Sequence, residues 1–102
     1  MGYKVTLRDF AVKDFALLDG DVQRQAIKQI NKLKQSPELG TDLGHKMGVD
    51  LSGYHSLHFY KKQYRIVYEV LENRNEVEIW GIAKREYGAV YKMVSTRLEH
   101  KE

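Results

Sequence analysis

From residue 3 to residue 8 the chain alternates Tyr3, Val5 and Leu7 with Lys4, Thr6 and Arg8, the period-2 pattern of a half-buried strand. Helical spacing follows. Asp9 is placed to cap a segment in which Phe10, Phe15, Ala16 and Leu18 recur at roughly helical intervals, until Gly20 interrupts it. Asp21 is then placed to cap a second helix, with Val22, Ala26, Ile27, Ile30 and Leu33 on one stripe before Ser36-Pro37 ends it. Two helices joined this closely make a hairpin. From Glu38 to Gly53 the glycines at 40, 44, 48 and 53 and the lack of any period predict a long irregular segment, shortened if a strand hides around Lys46 to Val49.

Strand character returns at Tyr54 to Tyr60 and is strongest in Tyr64 to Leu71, YRIVYEVL. Glu72-Asn73-Arg74-Asn75 reads as a turn and Glu76 to Ala83, EVEIWGIA, as the returning strand. A symmetric turn sets Ile66 near Gly81, Tyr68 near Ile79 and Val70 near Val77, an apolar face suited to the helical hairpin. The opposite face then holds Arg65, Val67 and Glu69 beside Ile82, Trp80 and Glu78. There the like-charged Glu69 and Glu78 would be relieved by a two-residue shift. Val90, Val94 and Leu98 predict a closing helix over Tyr87 to Leu98. The expected fold is α+β: a small antiparallel sheet on an N-terminal helical hairpin, ordered β-α-α-β-β-β-α, in one domain spanning 1–102.

Composition narrows the function classes. With 42% apolar and 30% charged residues, the chain is too apolar for a disordered tail and too polar for a membrane-embedded protein. Zero cysteines exclude disulfides, thiolate catalysis and Cys-ligated metal centres. The alternating start, Met1 to Val5, lacks the layout of a secretory signal, so a cytoplasmic location with no membrane partner is expected. Net charge is only +3, but it is unevenly spread. Residues 54 to 65 hold Lys61, Lys62, Arg65, His55 and His58 without an acid. Gln23 to Gln35 holds Arg24, Lys28, Lys32 and Lys34, again without an acid. Either stretch can face a polyanion.

Candidate chemistry gathers at the polar end of the last hairpin, where Arg65 opens one strand, Arg85 follows the end of its partner and Tyr91 comes six residues later. Two guanidiniums and a phenol suit a phosphate group, because arginine offers a bidentate, permanently charged fork. Solvated strand-end arginines and a core-filling tyrosine account for the same residues. His55 and His58, three apart on a strand, point to opposite faces, which argues against a shared metal ion. No serine sits in a nucleophile elbow, and the glycines match neither a P-loop nor a dinucleotide fingerprint.

The segments LSGYHSLHF, QYRIVYEV and VEIWGIAKREYGAVY resemble the bacterial RelE/ParE toxin superfamily, and within it the RelE-type ribosome-dependent messenger-RNA endonucleases. The resemblance spans nearly the whole chain in element order and Leu51 to Tyr91 in motif. It implies that Arg65, Arg85 and Tyr91 fall on active-site arginines and a tyrosine, and that His58 is the nearest match to a catalytic lysine position. Lys61, Lys62, Lys84 and His55 are the expected RNA-facing residues. The implied reaction is attack of a 2′-hydroxyl on the adjacent phosphate, with no metal and no cofactor. Either Tyr91 or His58 serves as base. The implied partners are a cognate antitoxin, the ribosome and messenger RNA. Val67, Trp80 and Ile82, expected on the less buried sheet face, would be apolar anchors for an acidic antitoxin segment. Two alternatives share the fold: a ParE-like inhibitor of DNA gyrase without nuclease chemistry, and a catalytically impaired antitoxin-binding module.

Overall fold

A computed structural model describes residues 2–46, 49–84, 96 and 97. Its elements are β1 (Lys4–Leu7), α1 (Asp9–Ala16), α2 (Gly20–Gln35), β2 (Thr41–Lys46), β3 (Val49–Phe59), β4 (Tyr64–Leu71) and β5 (Glu76–Lys84), with 3-10 turns at Pro37–Leu39 and Glu72–Arg74. The strands form one sheet in the order β1-β5-β4-β3-β2. β1 runs parallel to β5, and the other neighbouring pairs are antiparallel.

The expected α+β fold is therefore present, with differences of detail. The segment read as irregular contains β2 and the start of β3. The parallel β1 edge makes the sheet mixed. The helix expected over residues 87–98 lies outside the described residues except at Thr96 and Arg97. Helix starts also shift: Arg8 and Asp19 occupy the N-cap positions, while Asp9 and Asp21 lie in the first turns, where a carboxylate complements the helix dipole. Gly20 opens α2 and does not interrupt the chain. Its neighbour Asp19 supplies the extended backbone that turns the hairpin.

Both faces of the sheet are packed. On the hairpin side Ile66, Tyr68, Val77, Ile79 and Ile82 meet Ala11, Val22, Ala26 and Leu33 in the main core. On the other side Leu43, Leu51, Tyr54, Val67 and Trp80 form a second, smaller cluster. A bulge divides the two inventories. Tyr68 faces Ile79 and Val70 faces Val77 as expected, but beyond them Val67 pairs with Gly81 and Ile66 with Ile82. The extra residue is Trp80, and its insertion turns Ile82 onto the hairpin face. Val67, Trp80 and Ile82 are all buried, so the exposed apolar anchors expected of them are not there.

Glu69 and Glu78 stay paired with no two-residue shift. Arg8 relieves them, its Nη1 lying 3.4 Å from Glu78 Oε1 while its guanidinium sits 4.4 Å from the centre of the Trp80 ring. A second junction ties the C-terminal part of the chain to the hairpin. Asp14 accepts two hydrogen bonds from Arg97, at 2.7 and 2.9 Å, and one from the Ile82 N–H at 3.1 Å. Arg97 also donates to the Trp80 carbonyl, at 2.9 Å, on the bulge itself.

Candidate functional site

β3 and β4 are joined by a turn at Tyr60–Gln63, whose Gln63 N–H donates to the Tyr60 carbonyl. The turn sets the register in which His58 lies directly opposite Arg65, Ser56 opposite Val67 and Tyr54 opposite Glu69. Directly opposed residues share a face, so His58 and Arg65 stand side by side on the face opposite α1 and α2. Arg65 is half-buried and His58 exposed. Across Arg65 on its other side is Ala83 of β5. Ala83 is short and half-buried and packs against the second core.

Tyr60, Lys61 and Lys62 take φ values of 53°, 56° and 65° in succession. The left-handed region costs a non-glycine residue about 1 kcal/mol or more, so this turn holds its two lysines at an energetic cost. Both are exposed beside the His58–Arg65 pair. Lys84 reaches the same end of the sheet but pairs with Tyr64, on the hairpin face. There it borders a cavity of about 290 Å³ shared with Asp14 and Asp19. His55 is also on the hairpin face, stacked on Tyr68 with ring centres 5.3 Å apart. The strand alternation thus separates His55 from His58, and His55 shares no face with Arg65. Arg85 and Tyr91 lie outside the described residues; Arg85 follows Lys84 in the chain.

Ser56, which sits in no nucleophile elbow and so carries no signal of that chemistry in the sequence, is a buried side chain one pleat from His58 on the same face, and its hydroxyl has no hydrogen-bond partner among the described residues. The alternation Tyr54, Ser56, His58 was the available signal. Tyr54, further along that face, is unsuited to proton transfer. Burial, then the Glu69 and Glu78 carboxylates, push its phenol up to about 12, with Arg8 opposing them.

A helical hairpin over a mixed five-stranded sheet is the fold shared with solved RelE toxin structures. A mutant of the Escherichia coli toxin RelE in the free state superposes with a TM-score of 0.74 at 22% identity, covering 96% of this chain and 99% of that one. The RelBE2 toxin–antitoxin complex of Mycobacterium tuberculosis gives 0.71 at 21%, covering 83% and 100%. In sequence, an Escherichia coli RelE-like toxin protein is 28% identical over an alignment of 104 positions that covers 96% of this chain and 99% of that protein. The model of the family described as the ParE toxin of type II toxin–antitoxin systems matches residues 5–87, and the chain belongs to that family, within the RelE/ParE superfamily of toxins.

Proposed function

We propose that this toxin is an endoribonuclease of the RelE type that cleaves messenger RNA in the ribosomal decoding site. The supporting observation is the direct cross-strand placement of His58 against Arg65, on the sheet face opposite α1 and α2 and beside the exposed Lys61 and Lys62. In the reaction, the 2′-hydroxyl of the RNA attacks the adjacent phosphorus in line, and the 5′-oxygen of the next nucleotide leaves. Arg65 binds the equatorial phosphate oxygens, which gain charge in the transition state. Arg85 neutralises the same oxygens and the leaving oxygen. Tyr91 orients the hydroxyl or removes its proton, and His58 either shares that task or adds positive charge at the phosphate. Lys61 and Lys62 contact the flanking backbone. The chemistry calls on no metal, since the nucleophile is part of the substrate.

The partner follows from the same charges. A cognate antitoxin with an acidic segment is steered to the Lys61–Lys62–Arg65 end and excludes RNA from it. Val67, Trp80 and Ile82 are already buried, so this encounter depends on charge at the sheet end and not on those side chains.

A second reading has one observation in its favour: the matching family model carries the ParE name. Under it the chain inhibits DNA gyrase by binding alone. Expressing the protein in a bacterial translation extract and mapping new messenger-RNA 5′ ends, with a parallel gyrase supercoiling assay, separates the two. New 5′ ends with unaffected supercoiling support the nuclease. Inhibited supercoiling with intact messages overturns it.

A further inference from the structure

The first part of β3 leaves the sheet. Among the described residues β3 pairs with β4 only from Tyr54, opposite Glu69, to Phe59, opposite Tyr64. Continued in that register, Leu51 would stand opposite Glu72, about 17 Å along the strands from the level of Val67. Strand alternation would also put Leu51 on the hairpin face, since it is three residues from Tyr54. Leu51 is instead fully buried in the second core with Tyr54, Val67 and Trp80. The chain therefore folds back at Gly53, whose φ is 88°. β2 bends at the same level. Gly44 has a φ of 55°, and between the pairs Asp42–His55 and Gly44–Leu51 one residue of β2 faces three of β3. A Cβ at either glycine would meet nothing within 4 Å, so both serve by their backbone angles and not by lack of room.

Residues 44–46 and 49–53 thus form an arm that, among the described residues, pairs only with itself and returns over the sheet face carrying His58 and Arg65. Beneath that face Trp80 Nε1 and the Ser56 hydroxyl are buried without hydrogen-bond partners among the described residues. An unpaired buried donor costs free energy that contact with water returns, so uncovering these two groups offsets part of the cost of lifting the arm. Ser56 is one pleat from His58, which puts the covered floor next to the His58–Arg65 pair. The arm is also the weakest part of the sheet to hold, because β2 is an edge strand, whereas β4 and β5 each have a strand on both sides.

We propose that this arm is a flap, hinged at Gly44 and Gly53, that closes over Val67 and Trp80 and gates the sheet face bearing His58 and Arg65. The flap stands whether or not that face cuts RNA, and its test measures no cleavage. Hydrogen exchange of the full chain, followed by NMR at low urea concentrations, reads the opening. Arm amides should exchange with little urea dependence, because a local opening exposes little surface, whereas β4 and β5 amides should follow global unfolding with a steep one. Trp80 is the sole tryptophan, so its indole N–H gives one unambiguous signal. Having no hydrogen bond to protect it, that N–H should exchange with the arm and not with β5. Gly44→Ala and Gly53→Ala strain the closed form and should each speed arm exchange by about five- to thirtyfold. Gly44→Asn, which tolerates the left-handed region, should stay within about threefold of wild type. An indole N–H that exchanges at the rate of the β5 amides would overturn the proposal, because the arm would then not uncover it. So would arm amides with the urea dependence of β4 and β5, or alanine variants that leave arm exchange unchanged.

Discussion

Removing the Asp14 carboxylate should test how firmly the C-terminal part of the chain is fastened to the hairpin. Asp14 and Arg97 are each only 14% exposed, and their contact is bidentate, so Asp14→Ala leaves a nearly buried guanidinium without its counter-charge and the Ile82 N–H without its acceptor. Breaking one half of a buried ion pair costs about 3–5 kcal/mol, and slight water access favours the lower end, about 3 kcal/mol. For a domain near 100 residues this lowers the melting temperature by about 12 °C or more. A double-mutant cycle isolates the pair. Asp14→Ala/Arg97→Ala removes both charges together, so its loss should fall short of the two single losses combined by about 2 kcal/mol. Urea denaturation of the four proteins at one pH measures this. Additivity within about 0.5 kcal/mol would mean that the contact contributes no specific coupling.

Gly40 is a glycine because a Cβ there would lie 2.6 Å from the Tyr68 hydroxyl and 2.9 Å from the Ser56 carbonyl. Gly40→Ala should therefore cost about 2 kcal/mol, and an unchanged urea midpoint would refute the close approach. The Tyr68 hydroxyl donates to the Pro37 carbonyl at 2.7 Å and accepts from the Gly40 N–H at 2.8 Å, so Tyr68→Phe should cost about 1–3 kcal/mol. Coincident denaturation curves for Tyr68→Phe and wild type, with the same midpoint, would contradict it. For Tyr54, the folded-state value near 12 lies above the ordinary 10, so the folded state favours the protonated phenol. Its contribution is complete below pH 10 and is lost as the pH rises towards 12. Tyr54→Phe should remove that alkaline loss, and an identical stability–pH profile for the two proteins would count against it.

The strands β4 and β5 were legible because YRIVYEVL and EVEIWGIA pack on both faces and carry a dense apolar signal. Their register was legible only up to Tyr68–Ile79. The bulge at Trp80 adds a residue without changing the local apolar character, and Gly81 beside it was its one sequence mark. β2 was hidden for a different reason. In Thr41–Lys46 Leu43 is buried, and Gly44, at a φ of 55°, interrupts alternation where the register shifts. The parallel β1–β5 pairing depends on contacts some seventy residues apart and has no local signature. At the candidate site, the cross-strand neighbour of Arg65 depended on the conformation of the Tyr60–Gln63 turn. Three consecutive left-handed residues other than glycine are not readable from composition.

The central claim is that the His58–Arg65 end of the sheet, completed by Arg85 and Tyr91, cleaves RNA. The most direct measurement is single-turnover cleavage of messenger RNA on programmed ribosomes by wild type, Arg65→Ala, Arg85→Ala, Tyr91→Phe and His58→Gln, each paired with a melting temperature. The arginine and tyrosine variants should lose cleavage by about a hundredfold or more while melting within a few degrees of wild type. Cleavage retained in all four variants, or lost only in step with stability, would contradict it.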